Sequence, residues 1–392
     1  MGCMRSVFTG IDIGSHQVKV VIASAPENAE GPMQILGTGS APSRGVRHGY
    51  VVDPKEAAKS IREAVARAAH ASGTRVKSAY VSIGGVSLEE CAATGDITLT
   101  ASGGYVEQRD VLRALDDSRK KVAQKLVNRT IIHTIPLAYR IDGTLIHGRP
   151  LGLQGTRLSV DALLITVLSQ HHDDLIEAIE GAGIEVEEML AAPFAAAAVS
   201  LTKAQRLAGA VLANIGSETV SIIVYDDDQP VSLKVLPHGS ADITNAIALS
   251  FQLPLSEAEQ LKHGAVTGSD IPARKLSAVV SARLKDTFSQ INAYLKSIGR
   301  QRLLPAGITL TGGGSGVPEA ATIARETLKL PAQVGFLGSQ PRLGSLDATW
   351  AVAYGLCRAA YIDEGAAASR TIGEVLQGAG RSISGFFRSL LP

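Results

Sequence analysis

GIDIGSHQVKVVIA, residues 10–23, recurs in altered form as VLANIGSETVSIIVYD, residues 211–226. Both segments place Ile-Gly-Ser between an acid or amide and a run of β-branched residues, which predicts a strand, a tight turn and a second strand. Each half of the chain then continues into a predicted helix. The repeat indicates a duplicated α/β domain with a cleft between the copies, where small ligands usually bind.

The first copy contains residue types suited to phosphate binding. Backbone N–H groups in a glycine turn can cradle phosphate oxygens, and the Ser15 hydroxyl adds a donor. Lys19 would place a cation near the same phosphates, and Asp12 could hold a hydrated Mg²⁺ ion. In the second copy Asn214 replaces Asp12 and Ser221 replaces Lys19. That copy has therefore lost one carboxylate and one ammonium group.

Composition narrows the class of protein. The chain has 392 residues, 45% of them hydrophobic, and a net charge of +1, which allows two domains with substantial cores. The near-neutral charge argues against a nucleic-acid binder. Three cysteines without metal-ligand spacing favour a reducing compartment. The chain contains no apolar run of 18 residues, so no membrane-spanning helix is predicted.

Helix and strand signals organise the rest of the chain. Asp53 is the predicted N-cap of a helix that Gly73 ends. Residues 86–163 differ in character, with short strands, a charged helix around Asp110–Arg129 and a Gly/Pro-dotted stretch, and they are predicted to form an inserted subdomain. The segment DALLITVLSQ, residues 161–170, then returns to a buried strand.

A third glycine-rich segment, GITLTGGGSGVPE at residues 307–319, follows a β-branched run. Its flexible glycines would allow the backbone to approach a ligand closely. Val317 stands where the last glycine of Gly-x-Gly-x-x-Gly belongs, and the chain contains no Gly-Lys dipeptide, which excludes a P-loop. On its own this segment would be a plain turn before a helix.

The three segments resemble the first phosphate, second phosphate and adenosine motifs of the actin/Hsp70/sugar-kinase ATPase superfamily. Within it, the chain resembles the FtsA family of bacterial cell-division proteins from about Val7 to Tyr361. The family landmarks GVRHGYVVDPKEAAKSI, GVSLEE, IIHTIPLAYRIDG, PLGLQGTRLSVDALLITV and SEAEQLKHGA occur in the family's order. The pilus protein PilM shares much of this architecture and is the nearest alternative.

The resemblance implies an α/β fold of actin-like, duplicated RNase H-like domains with an inserted 1C (SHS2-type) subdomain. It implies the following boundaries: 1–85 and 161–207 with 349–362 for subdomain 1A, 86–160 for 1C, 208–245 and 307–348 for 2A, 246–306 for 2B, 363–371 for a linker, and 372–392 for a C-terminal amphipathic membrane-targeting helix.

The resemblance also implies a site for ATP and Mg²⁺, with Asp12 as the metal ligand and no residue assigned to catalysis. The residues that match the family's nucleotide motifs are Asp12, Gly14, Ser15, His16 and Lys19 in the first phosphate loop, Asn214, Gly216, Ser217 and Glu218 in the second, Glu259 and Lys262 in the Glu-x-x-Lys helix that reaches the ribose and adenine, and Gly312, Gly313 and Gly314 beneath the adenosine. Without the family register, Glu259 and Lys262 would be an ordinary exposed helical pair.

The second phosphate loop departs from the family's Asp-x-Gly-Gly-Gly-Thr. Asn214 is neutral and cannot supply the charge that helps hold Mg²⁺ or orient an attacking water. Glu218 adds a negative charge on a loop that should face phosphates, where like charges repel, unless its side chain turns to solvent or contacts the metal. We expect nucleotide binding with at most weak ATPase activity, and loss of nucleotide binding stays open as an alternative.

The last residues, IGEVLQGAGRSISGFFRSLL at 372–391, place their apolar side chains along one helical face. Such a segment can fold on a bilayer surface, although a helix docked on the protein's own core is the alternative. The residues expected to contact the membrane are Ile383, Phe386, Phe387, Arg388, Leu390 and Leu391. The membrane interpretation agrees with the resemblance, because members of that family end in such a helix.

The resemblance implies partners as well. The lobe between Lys262 and Ile308 binds the C-terminal tail of the tubulin-like FtsZ in this family, and Arg283 and Lys285 are candidate contacts for an acidic tail. Self-association through 1C into actin-like filaments, later division proteins and the cytoplasmic face of the cell membrane at the division site are implied too. The alternatives are a PilM-like cytoplasmic adaptor of type IV pilus assembly and a metabolic kinase of the same fold.

Overall fold

The structure is a computed structural model that describes residues 6–26, 31–100, 104–265, 271–337, 339–340, 344–345 and 347–368. Its strands are β1 Val7–Ile13, β2 Gln17–Ser24, β3 Gln34–Pro42, β4 Val46–Arg47, β5 Tyr50–Val51, β6 Ser78–Ile83, β7 Glu89–Thr98, β8 Arg129–Ile141, β9 Thr144–Ile146, β10 Arg157–Leu168, β11 Glu185–Ala191, β12 Ala210–Ile215, β13 Val220–Asp226, β14 Gln229–Leu236, β15 Ile308–Thr311, β16 Ala332–Val334, β17 Ser339–Gln340 and β18 Gly344–Ser345.

Helices connect several of these strands. They are α1 Pro54–Ser72, α2 Gln108–Ala123, α3 Ser169–Gly181, α4 Ala192–Ser200, α5 Lys203–Ala208, α6 Ser240–Phe251, α7 Leu255–Lys262, α8 Ala273–Ser297, α9 Ala320–Leu328 and α10 Ala351–Ala368, with short 3₁₀ turns at Gly313–Gly316 and Ala348–Trp350.

The chain divides into two compact units. Unit 1 contains Met1–Val86 and Asp174–Arg358, and unit 2 contains Ser87–Asp173 together with the end of α10. Unit 1 has two five-stranded sheets, in the orders β3-β2-β1-β6-β11 and β14-β13-β12-β15-β16. In each sheet the first three strands are antiparallel and the last two join in parallel. The duplication predicted from the Ile-Gly-Ser repeat is thus confirmed.

Helix α1 follows its sequence signals closely. The Asp53 side chain accepts hydrogen bonds from the backbone N–H groups of Lys55 and Glu56, and Gly73 ends the helix with a left-handed φ of 66°. The alanine, isoleucine and valine side chains of its apolar face are buried. In the second half of unit 1, apolar side chains of α6, α8 and α9 share one core with β12, β13 and β15.

Unit 2 is built on a four-stranded antiparallel sheet in the order β7-β10-β8-β9. The resemblance implies that residues 161–168 belong to subdomain 1A, but they continue β10, which pairs with β7 as far as Thr166, the partner of Glu89. A buried strand and an inserted-sheet strand have the same apolar pattern, so periodicity alone could not separate them.

Two further boundaries differ from expectation. The charged helix α2 ends at Ala123 rather than near Arg129; a turn that includes the left-handed Asn128 (φ 59°) follows, and Arg129 begins β8. Residues 363–368, expected to be linker, belong to α10, where alanine and glutamate favour the helix. The remaining linker residues and the amphipathic segment 372–392 lie outside the described residues.

No helix among the described residues combines the length and apolar character that crossing a membrane requires.

Candidate functional site

The first turn, Gly14–Gln17, connects β1 to β2. Its backbone closes with a hydrogen bond from Gly14 N–H to the Gln17 carbonyl (3.2 Å). Asp12 and Lys19 are paired residues of the two antiparallel strands, so their side chains lie on the same face of the sheet next to the turn. From β6, the Ser82 hydroxyl donates to Asp12 Oδ1 (2.8 Å).

Burial dominates the electrostatics of this pair. Burial raises the pKa of the Asp12 carboxyl, and the opposing effects of the Lys19 ammonium and the Ser82 hydroxyl only partly offset it. Burial also lowers the pKa of Lys19 against the attraction of Asp12 and Asp347. Lys19 Nζ donates to the Thr349 carbonyl (2.7 Å) and lies 5.5 Å from the centre of the Trp350 ring.

Of the other first-turn residues that the sequence singled out, Ser15 and His16 differ in environment. The Ser15 hydroxyl oxygen accepts from Gly49 N–H (2.9 Å). His16 is exposed, and its carbonyl accepts from Ser43 N–H (2.9 Å). The first turn is therefore attached to residues 43–49 on both sides.

The second turn, Gly216–Thr219, repeats the geometry of the first. Gly216 N–H donates to the Thr219 carbonyl (2.8 Å). The start of α6 lies directly against this turn, since Ser240 N–H donates to the Gly216 carbonyl and Ala241 N–H to the Ser217 carbonyl, both at 2.8 Å. These contacts fix the second turn at the N-terminus of a helix.

The Glu218 side chain is 16% exposed and does not turn to solvent. Oε1 lies 3.0 Å from Arg47 Nη1, and Oε2 accepts from the backbone N–H of His48 (2.6 Å). Burial raises the pKa of this carboxyl, but the His48 N–H and the Arg47 guanidinium outweigh burial, and the pKa is lowered. Arg47 and His48 thus offset the negative charge that the sequence placed on the second turn.

The glycine loop, Gly312–Gly316, follows β15 beside the second turn. Gly312 has a φ of 80°, and a Cβ on it would lie 2.4 Å from Asn214 Oδ1. A Cβ on Gly314 would lie 2.3 Å from a methyl carbon of Ile215, whereas one on Gly313 would have no neighbour within 4 Å. The loop therefore packs tightly on β12 and presents an open side at Gly313.

Helix α7 brings Glu259 and Lys262 together. Lys262 Nζ lies 2.7 Å from both carboxylate oxygens of Glu259 and donates to Thr244 Oγ1 (3.0 Å) in α6. The Lys262 side chain is 1% exposed, so this is not an ordinary surface pair. Thr244 also hydrogen-bonds Glu259, and His263 Nε2 lies 3.3 Å from the same carboxylate.

In this pair the surroundings favour the ionised form of Glu259 but not that of Lys262. Burial opposes ionisation of Glu259, but His263, Lys262 and Thr244 together lower its pKa. Burial lowers the pKa of Lys262 despite the attraction of Glu259. A Cβ on Gly316 would lie 3.6 Å from His263 Nδ1, which places α7 next to the glycine loop. The structure therefore gathers the predicted adenosine residues, while contact of Glu259 and Lys262 with a nucleotide stays a prediction.

The predicted partner residues Arg283 and Lys285 are exposed on α8, and Arg283 pairs with Asp286 (3.3 Å). The predicted membrane residues, from Ile383 to Leu391, lie outside the described residues. In the described part of the chain no group of three or more His, Cys, Asp or Glu side chains forms a metal-binding cluster.

Sequence reasoning did not assign roles to Arg47, His48, Ser82, Thr349 or Trp350. The first two lie in GVRHGY, the start of one of the family landmarks. Glycine in the second place of a two-residue loop suits a hairpin turn with positive φ angles, and it could have indicated the hairpin but not its distant contacts.

Two family models match the chain. "Cell division protein FtsA" matches residues 211–355, and "SHS2 domain inserted in FTSA" matches residues 87–166, so together they span more than half of the chain. The fold is accordingly a mixed α/β actin-like fold with an SHS2 insert.

Known proteins agree with these models. Cell division protein FtsA of Borreliella burgdorferi is 27% identical over 376 residues, which is 90% of each chain. The FtsA protein of Pseudomonas aeruginosa is 27% identical over 350 residues, 84% of this chain and 82% of the relative. Among solved structures, the PilM-PilN type IV pilus biogenesis complex aligns with a TM-score of 0.68 at 20% identity, over 90% of this chain and 98% of that one. At this identity the similarity shows the fold alone.

Proposed function

The chain belongs to the FtsA family of bacterial cell-division proteins, and on that basis we propose that it is an actin-like ATP-binding protein that anchors FtsZ filaments to the cytoplasmic membrane. Family membership over most of the chain is the observation on which the proposal rests. The anchor, the nucleotide and the partners are its finer parts, and each has its own support.

The proposed anchor is the amphipathic segment 372–392, on the cytoplasmic face of the cell membrane at the division site. Burying its two phenylalanines and two terminal leucines fully would contribute about 6–12 kcal/mol, less the cost of ordering the helix. Arg381 and Arg388 would add about 1 kcal/mol each on an anionic leaflet. Insertion into a bilayer surface is partial, so one tail is a modest anchor, and a polymer multiplies its effect by avidity.

The proposed nucleotide site is formed by the two glycine turns, the glycine loop and α7. A Cβ on Gly313 would meet no atom within 4 Å, so the backbone of the loop is open to a ligand at this residue. The Lys19 ammonium has three N–H donors, of which Thr349 takes one, and it would neutralise phosphate charge. The residues present therefore fit ATP.

The residues also fit Mg²⁺, which binds through one or two carboxylates and substrate phosphates and keeps several waters. Asp12 would hold it through a half-buried carboxyl that the Ser82 hydroxyl orients. Bound Mg²⁺ would neutralise the charge of the phosphates. Asn214, the neutral partner of Asp12 in the repeat, provides no second carboxylate, and we therefore propose that hydrolysis is slow.

Partners follow from the family. We propose that the FtsZ C-terminal tail binds the lobe that contains α8, with Arg283 and Lys285 exposed for an acidic peptide, and that the chain self-associates through the SHS2 insert. Recruitment of later division proteins belongs to the same role.

Vesicle flotation tests the anchor. Full-length chain and a version ending at Arg370 are floated with anionic vesicles in the presence of ATP, and FtsZ is added in a second step. Flotation of the full-length chain alone, followed by recruitment of FtsZ, is the expected result. If neither version floats, the membrane part of the proposal is wrong, and the result favours a PilM-like adaptor role instead.

A further inference from the structure

The tip of the β4–β5 hairpin, His48 and Gly49, contacts both turns of unit 1 through consecutive backbone N–H groups. His48 N–H donates to Glu218 in the second turn (2.6 Å), and Gly49 N–H donates to Ser15 in the first turn (2.9 Å). Both tip residues have left-handed φ angles, 48° and 78°, as a two-residue hairpin turn with two positive φ angles requires. One short element therefore joins the two copies of the repeat.

Both oxygens of the Glu218 carboxylate are occupied at this tip. Oε2 accepts from the His48 backbone, Oε1 from the Arg47 guanidinium, and the His48 ring Nδ1 lies 3.3 Å from the Glu218 carbonyl oxygen. Hydrogen bonds to an ionised acceptor are shorter and stronger than neutral ones. The carboxylate is thus bound in the way that an anionic ligand would be.

A Cβ on Gly49 would lie 2.5 Å from the Cα of Gly85, which follows β6. The tip is therefore packed against backbone on its other side, and a larger residue at this position would push it out of place. The close approach of Gly49 to the backbone of Gly85 supports the tip and limits the residues that fit there.

We propose that the hairpin tip is an anion-binding site whose resident ligand is the Glu218 carboxylate, and that this contact holds the first and second turns together when no nucleotide is bound. The inference concerns the nucleotide-free chain and does not depend on ATP binding. It assigns to Glu218, a residue that should repel phosphates, the role of joining the two halves of unit 1.

The individual contacts differ in expected strength. The Arg47 side chain is 74% exposed, and exposed ion pairs contribute little because water screens them. The bond from the His48 backbone is made to a largely covered carboxylate and should contribute more. Truncation of Glu218 is therefore expected to have a larger effect than truncation of Arg47.

Hydrogen exchange of the full chain without nucleotide tests the proposal. The variants are Glu218→Ala, Glu218→Gln and Arg47→Ala. The matched control is Glu63→Ala, which removes an exposed ion pair with Arg67 inside α1. We expect exchange at residues 46–50 to rise about tenfold or more in Glu218→Ala, as loss of a hydrogen bond to a charged group implies. Arg47→Ala should change it less than about threefold, and the control not at all.

The same experiment has a readout at a distance. Exchange at residues 14–17 should also rise in Glu218→Ala, because the first turn is tied to the same tip through Ser15. Should the alanine variant fail to fold, Glu218→Gln, which keeps an acceptor oxygen but no charge, should raise exchange at residues 46–50 by a smaller factor.

Unchanged exchange in folded Glu218 variants would overturn the proposal. So would a wild-type chain whose hairpin becomes protected only after ATP is added, since the nucleotide rather than Glu218 would then join the turns. ATP binding is measured separately in the same samples. A chain that does not bind ATP contradicts the nucleotide part of the proposed function, while the exchange result still decides the hairpin site.

Discussion

Asn214 and Gly312 lie so close together that a Cβ on the glycine would come within 2.4 Å of the asparagine Oδ1. The two residues belong to different motifs, the second turn's strand and the glycine loop, and Thr311 next to Gly312 is the strand partner of Asn214. The proposed phosphate and adenosine ends of the site are therefore in direct contact, and several substitutions test this arrangement.

Gly312→Ala should lower the free energy of unfolding by about 2–4 kcal/mol, since it adds left-handed strain and a clash with Asn214. Urea unfolding measures this change. Gly313→Ala is the control, because a Cβ there meets nothing within 4 Å, and its stability should stay within about 0.5 kcal/mol of wild type. Equal losses in both variants would contradict the packing of the loop.

Glu259→Gln should destabilise the chain more than Lys262→Met, because it leaves the buried ammonium group of Lys262 without its counter-charge. The expected loss is about 2 kcal/mol, below the range of about 3–5 kcal/mol for fully buried pairs, because the Glu259 side chain is 42% exposed. Urea unfolding at neutral pH compares the two variants. A larger loss of unfolding free energy in Lys262→Met would contradict this prediction, because the unpaired carboxylate would then cost more than the unpaired ammonium group.

The same pair predicts a pH dependence. The pKa of Glu259 is lowered in the folded chain, so its contribution to stability is present above the ordinary pKa of a glutamate and is lost as the pH falls toward the lowered value. Between pH 7 and pH 3, wild type should therefore lose more free energy of unfolding than Glu259→Gln. Parallel pH profiles would contradict this prediction.

Asp12→Asn should change the free energy of unfolding at neutral pH in the opposite direction to Glu259→Gln. Burial raises the pKa of Asp12 in the folded chain, so its ionised form costs stability at neutral pH, and that cost disappears below the ordinary pKa of an aspartate. We expect the variant to be more stable than wild type at pH 7, with a difference that shrinks toward pH 4. We also expect it to lose Mg²⁺-dependent binding of ATP, which titration with and without the metal measures.

Asn214→Asp should restore the carboxylate that the repeat has lost. If the missing charge limits hydrolysis, steady-state release of phosphate from ATP should rise at least about a hundredfold, the lower end of the range for a positioned acid or base. Asn214→Ala serves as the control and should show no increase. An Asn214→Asp variant that binds ATP and hydrolyses it no faster would place the limit elsewhere.

The sequence was informative where local signals agreed with tertiary structure. The Ile-Gly-Ser repeat predicted the duplication, and the matching strand orders of the two sheets confirm it. Asp53 and Gly73 likewise cap the two ends of α1, as expected. Both depend on turn and cap chemistry that a few neighbouring residues determine.

What could not be predicted depends on distant residues. Arg47 and Glu218 are 171 positions apart, and nothing in either segment indicates the other, so the sequence left Glu218 facing phosphates, solvent or metal. Lys262 illustrates the same limit, because an ammonium group at i+3 from a glutamate is usually exposed, and only the packing of α6 against α7 buries it.

The pairing of Glu89 with Thr166 has a consequence for the history of the chain. The two ends of the SHS2 match, residues 87–166, lie at the ends of two adjacent antiparallel strands, whose paired Cα atoms are only about 5 Å apart. Two chain ends that close could be bridged by a short turn. A domain attached in this way can be gained, exchanged or deleted as a module while the path of the surrounding backbone stays nearly the same.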